Sequence, residues 1–153
     1  MIGPAKISAI AVTLLALVIG RAFAGDLPDP TLTPGAVMTT DAAQVCTPGY
    51  AKSVRHVSGS VKAMVYQEYR IISHRSGEYE VDHLISLELG GSNDIRNLWP
   101  ESNQTEPWNA HAKDRLEDRL HEMVCSGQIG LEQAQREIGA DWIAAYHRYI
   151  GEP

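Results

Sequence analysis

The hydrophobic positions after residue 58 change from helical spacing to strand spacing and back again. Apolar residues at three- and four-residue steps predict a helix over 60–69, with Ser60 as its N-cap. A polar loop over 74–78 then leads into alternating apolar positions that begin at Tyr79, and this alternation predicts a strand. A second short apolar segment follows a glycine-rich loop, so the two segments are predicted to form a hairpin.

A long amphipathic helix is predicted over 105–125, with Thr105 as its cap and Pro107 in its first turn. Its apolar stripe consists of Leu116, Leu120, Met123 and Val124. Residues 131–150 predict one or two further helices, with a break between Gly139 and Asp141. The predicted fold class is therefore α+β: a small antiparallel β-hairpin clasped by the 105–125 helix and flanked by further helices.

The first 24 residues have the pattern of a signal peptide. Lys6 precedes an apolar run over 7–19, and residues 22–24 form an A-x-A cleavage signal. The run is shorter than the roughly 18 to 20 residues that span a bilayer, so an uncleaved anchor is the weaker interpretation. We expect an exported chain, periplasmic or extracellular, in which a proline-rich lead-in and the Cys46 loop (25–58) precede one domain (59–153).

Both cysteines, Cys46 and Cys125, lie in the part of the chain expected to be exported. In an oxidising compartment they are expected to form a disulfide, which closes a loop of about 80 residues and contributes on the order of 4 kcal/mol. Two buried free thiols are the alternative.

The charge balance argues against a protein that binds nucleic acid non-specifically over a broad surface. The chain has 13 basic and 19 acidic residues, and the leader contains two of the basic ones, Lys6 and Arg21. Thirteen less two leaves 11 basic side chains against 19 acidic ones, a net charge of −8. Non-specific nucleic-acid binding depends on basic surfaces, so tight binding of this kind is not expected.

An acid and a histidine, Asp82 and His83, end the first strand segment. Gly90 and Gly91 follow in the loop, and Asn97 begins the second apolar segment. Over residues 79–120 this arrangement resembles the HNH nuclease motif, whose ββα-metal fold is found in many DNA-cutting enzymes. The cysteine pairs that often bind zinc in that motif are missing here.

The adjacent Asp82 and His83 suit phosphodiester hydrolysis, which needs a cation on the phosphate and a base for water. Asp82 supplies an anionic oxygen for a divalent cation, and His83 ionises near neutral pH as a general base requires. Neighbouring strand residues face opposite ways, so the strand must end or bulge here. The resemblance implies that Asn97 belongs to the catalytic motif by holding the loop through backbone hydrogen bonds.

The resemblance also implies a further metal ligand from the long helix. Asn103, Asn109 and His111 qualify by residue type, and their relation to Leu116 on a regular helix favours Asn109, with His111 next. Lys113, one turn beyond Asn109, is a candidate for substrate binding through a phosphate.

The function implied by the resemblance is that of a metal-dependent HNH endonuclease acting on nucleic acid, with DNA favoured over RNA. Mg²⁺ or Mn²⁺ is the expected cofactor, and Zn²⁺ becomes an option if His111 is a ligand. We expect a monomer with no membrane contact after leader cleavage. The alternative is a non-catalytic exported binding domain that retains the HNH fold.

Overall fold

Residues 26–153 are described by a computed structural model. The leader predicted over 1–24 lies outside the described residues. Within them, six α-helices surround one two-stranded sheet. In chain order the elements are α1 (Ala42–Val45), α2 (Tyr50–Val54), α3 (Gly59–Glu68), β1 (Tyr79–His83), β2 (Leu98–Ser102), α4 (Ala110–Cys125), α5 (Leu131–Ala140) and α6 (Trp142–Tyr149). Two short 3₁₀ turns, Leu87–Leu89 and Ile95–Asn97, lie between the strands. The predicted α+β class is confirmed.

β1 and β2 form the predicted antiparallel hairpin, and its register places His83 opposite Leu98. The loop between the strands is buried along most of its length and folds tightly back on itself. A β-carbon at Gly91 would overlap the carbonyl oxygen of Ile85. A residue without a side chain is therefore required at this point of the loop.

The N-cap of α4 lies four residues later than the sequence predicts (109 − 105). This N-cap is Asn109, whose Oδ1 accepts a hydrogen bond of 3.1 Å from the backbone N–H of Ala112. The predictions that Thr105 caps the helix and that Pro107 lies in its first turn are wrong. A residue before proline is pushed out of helical geometry, so Glu106 cannot continue a helix into Pro107.

The other helices agree more closely with the pattern. α3 is present, but Ser58 caps it in place of Ser60, and its Oγ accepts from the backbone N–H of Val61 at 3.3 Å. The predicted break between the last two helices is confirmed, since Asp141 caps α6 through Ala144.

One hydrophobic core joins the hairpin loop to α4, α5 and α6, and the predicted stripe residues Leu116, Leu120 and Val124 are buried in it. The predicted disulfide is present: Cys46, next to α1, is bonded to Cys125 at the end of α4, 79 positions away. In the described part of the chain, no helix is both long and apolar enough to cross a membrane.

Candidate active site

Asn97 fastens the loop that connects the two strands. Its side chain is fully buried, and Oδ1 accepts hydrogen bonds from the backbone N–H groups of Ile85 at 3.0 Å and Ala36 at 3.3 Å. Its Nδ2 donates to the carbonyls of Ile85 and Ser92, both at 2.9 Å. Four bonds from one amide hold both ends of the loop, which is the supporting role expected for this residue.

His83 is the last residue of β1 and is 2% exposed. Its Nε2 lies 3.1 Å from Oδ1 of Asn93, a loop residue. Among the described residues, Nδ1 is buried and has no hydrogen-bond partner. Burial lowers the pKa of His83, against the opposing effect of the Asp82 charge. The imidazole is therefore neutral at neutral pH and has one ring nitrogen unused by the protein.

Asp82 is paired with a lysine from α4. Lys113 is fully buried, and its Nζ donates to Asp82 Oδ2 at 2.6 Å and to the carbonyl oxygen of His83 at 2.8 Å. It also donates to Glu117, one helical turn further along, and lies 3.8 Å from Glu101 Oε2 on β2. One ammonium group thus joins both strands to α4.

Three carboxyl groups share this single ammonium, and burial makes several simultaneous negative charges costly. Burial raises the pKa of Glu101 well above its usual range and that of Glu117 to about 8, although Lys113 opposes both shifts. For Asp82, burial is outweighed by the charge and hydrogen bond of Lys113, which hold its pKa below the usual value. The three carboxyls likewise raise the pKa of Lys113 despite its burial. The cluster at neutral pH therefore contains charged Lys113 and Asp82, and Glu117, with a pKa of about 8, is largely protonated.

The residues predicted as further metal ligands are engaged with other groups or exposed to solvent. Asn109 is buried, as expected, but its amide caps α4 and donates to Glu106 Oε1 at 3.2 Å. His111 has a side chain that is 74% exposed and lies 3.9 Å from Asp114. Asn103 precedes the helix, and its backbone bonds to Glu78. The Asp82 oxygen is bound to a lysine, and these side chains have other partners or face solvent, so they do not form the predicted group of metal ligands.

Lys113 also differs from its prediction. The sequence suggests a cation one turn beyond Asn109 that reaches a phosphate, but the ammonium is buried and bound by protein oxygens. The reason is its spacing: Lys113 lies three residues before Leu116 and seven before Leu120, so a regular helix places it on the buried face of α4. A contact between Lys113 and substrate is therefore not available in this arrangement.

Three residues of the site were not singled out from sequence: Asn93, Glu101 and Glu117. The four-residue step from Lys113 to Glu117 is a readable signal for a helical ion pair. Asn93 looks like an ordinary turn residue, and Glu101 like an exposed strand end. Nothing local to either residue indicates its partners, which come from distant parts of the chain.

A second group of side chains lies at the disulfide. The group consists of Cys46, His121 and Cys125. Each residue offers one ligand atom, and these atoms lie within 4.8 Å of one another, so the group could hold a metal ion. The two sulfurs are bonded to each other, and His121 Nε2 lies 3.1 Å from the carbonyl oxygen of Val45. Because thiolates are the sulfur ligands of metals, the intact bridge removes two of the three donors.

Comparison of the chain with models of known protein families, with curated proteins and with solved structures finds no match.

Proposed function

We propose that this chain is an HNH-type endonuclease that hydrolyses phosphodiester bonds of nucleic acid outside the cytoplasm, with DNA as the favoured substrate. The proposal is supported by the order of the site: a histidine at the end of β1, a tight loop held by Asn97, and α4, whose Lys113 bonds to the end of β1. The disulfide fits an oxidising, exported location.

The observation that carries the proposal is the unpartnered Nδ1 of His83. Buried polar atoms in proteins nearly always have a partner, and an exception indicates a place where water or a ligand supplies the missing bond. A neutral imidazole offers Nδ1 as an acceptor when Nε2 carries the proton, and a water molecule is a suitable donor to it.

In the proposed reaction, His83 removes a proton from that water at Nδ1 as the oxygen attacks phosphorus. The P–O bond to the leaving sugar oxygen breaks, and that oxygen takes a proton from solvent. Asn97 keeps the loop in place, and the Lys113 cluster holds β1 against α4, so both fix the position of the imidazole without touching substrate.

The phosphate also needs positive charge, which HNH enzymes are expected to supply with a cation. Because Asp82 is bound by Lys113 and the other candidates are engaged elsewhere, we assign no metal ligands here. Dependence on Mg²⁺ or Mn²⁺ remains a prediction of the resemblance.

A nicking assay tests the proposed function. Purified chain with the bridge intact is incubated with supercoiled plasmid, and in parallel with single-stranded RNA, in EDTA, Mg²⁺ or Mn²⁺. We expect plasmid nicking that His83→Ala abolishes and that His74→Ala, a change at an exposed loop histidine, preserves. No nicking in any condition, or equal nicking by both variants, would contradict the proposal.

The second candidate is a non-catalytic binding domain. It is favoured by the Lys113–Asp82 pair, which occupies the carboxylate on which metal chemistry depends. Plasmid binding without cleavage in every metal condition would favour this candidate.

A further inference from the structure

Asn93 makes three hydrogen bonds that connect separate parts of the chain. Its Oδ1 lies 3.1 Å from His83 Nε2 and accepts from the backbone N–H of His56 at 3.2 Å. Its Nδ2 donates to the carbonyl oxygen of Val54 at 2.8 Å. The amide thus joins the end of β1 to the last residue of α2 and to the segment that follows it.

The two backbone contacts fix which way the Asn93 amide points. A backbone N–H only donates and a backbone carbonyl only accepts, so the amide oxygen must face His56 and the amide nitrogen must face Val54. Rotating the amide by half a turn would place its N–H group against the backbone N–H of His56. It would also place its oxygen against the carbonyl oxygen of Val54. The atom that faces His83 is therefore an oxygen, fixed by contacts that do not involve the histidine.

An oxygen beside Nε2 requires that nitrogen to carry the proton. A neutral imidazole has one N–H and one lone pair, so a donating Nε2 leaves the lone pair on Nδ1. Nδ1 is the ring nitrogen without a partner among the described residues. We infer that Asn93 is a positioning residue that holds neutral His83 in the tautomer with Nε2 protonated and Nδ1 free to accept.

The tautomer follows from the hydrogen bonds alone, whereas its importance for cleavage rests on the proposed function. His83 with Nδ1 protonated would have no lone pair at the nitrogen proposed to activate water. Asn93 would then affect the rate of cleavage by determining which ring nitrogen of His83 can accept a proton, in addition to any effect on the shape of the loop.

The test is ¹⁵N NMR of the histidine side chains in the intact chain, at a pH where His83 is neutral. The resonances of His83 are assigned by their absence in His83→Gln. The parent is expected to show Nε2 protonated and Nδ1 unprotonated. In Asn93→Ala, we expect a mixture of tautomers, because the fixed acceptor is lost.

Asn93→Asp keeps the oxygen that faces His83 and should retain the parent tautomer, although it replaces the donor to the Val54 carbonyl by a second oxygen. Gln67→Ala, which removes an exposed amide on α3, should change nothing. A protonated Nδ1 in the parent, or a parent-like tautomer in Asn93→Ala, would overturn the inference. Should Asn93→Ala fail to fold, the parent spectrum and that of Asn93→Asp still decide the tautomer.

The rate of plasmid cleavage gives the second readout. We expect Asn93→Ala to lower it by about ten- to a hundredfold, the range found for residues that orient a functional imidazole, and Asn93→Asp to restore part of that loss. If the tautomer is as inferred but the parent cuts nothing, the proposed function fails alone. If the parent cuts and Asn93→Ala keeps both tautomer and rate, the inference fails alone.

Discussion

At the residue scale, the free-energy cost of burying a charge explains the contacts of Lys113. A fully buried ammonium is tolerated only with anionic and hydrogen-bonding partners, and Lys113 has Asp82, Glu117 and the carbonyl oxygen of His83. The same contacts place the lysine where the resemblance would place a cation, beside Asp82.

Lys113→Met should destabilise the fold by about 3–5 kcal/mol, because it leaves carboxyl groups buried without their cation. Lys62→Met, at an exposed position of α3, should change stability by less than about 0.5 kcal/mol. Urea unfolding of the two variants makes the comparison. A loss below about 1 kcal/mol for Lys113→Met would show that the cluster is not buried as described.

The stability of the fold should fall as the pH rises toward alkaline values. Burial raises the pKa of Glu117 from 4.5 to about 8, so between these values the folded chain binds more protons than the unfolded chain. The free energy of unfolding therefore decreases across this window, and Glu101 acts in the same direction. Urea unfolding at about pH 5 and about pH 9 measures the change. Glu117→Gln should reduce this dependence, and an equal dependence in the variant would contradict the assignment.

At the scale of elements, local patterns predicted the hairpin, the tight loop and the supporting role of Asn97. The paired strand residues lie within 23 positions of one another (102 − 79), and Asn97 bonds to Ile85 and Ser92, which are 12 and 5 positions away. The predicted N-cap of α4 was wrong by four residues (109 − 105), since the effect of Pro107 on Glu106 opposes a helix that starts at Thr105. The partners of Lys113 come from two strands and a helix, a combination that no local pattern contains.

Gly91→Ala tests the tight loop. A β-carbon there would overlap the carbonyl oxygen of Ile85, so the backbone must move and stability should fall by more than about 2 kcal/mol. Gly59→Ala is the matched control, because it adds the same methyl group in open space at the start of α3. Thermal unfolding of both variants is the measurement. Equal melting temperatures would contradict the close approach.

At the scale of the whole molecule, the disulfide connects the beginning of the described chain to the far end of α4. It closes a loop between positions 79 apart, which restricts the unfolded chain and leaves the hairpin site untouched. The expected pairing followed from the leader and the cysteine count. The acidic balance, a formal net charge of −6, agrees with a site whose residues of interest are buried and not spread over a basic face.

Replacing both Cys46 and Cys125 by serine should lower stability by about 2–4 kcal/mol, because the loop constraint on the unfolded chain is lost. Urea unfolding measures this, and thiol counting on the parent should find no free sulfhydryl. Two reactive thiols in protein recovered from the medium or periplasm would contradict both the bridge and its role.

The central claim is that His83 activates water through Nδ1, and the rate of the chemical step tests it most directly. Single-turnover cleavage of plasmid should be slower by about 10²–10⁴-fold in His83→Gln than in the parent, the range expected for loss of a general base. His74→Gln should match the parent, and both variants should melt near the parent temperature. Cleavage by folded His83→Gln within about threefold of the parent rate would show that His83 is not the base.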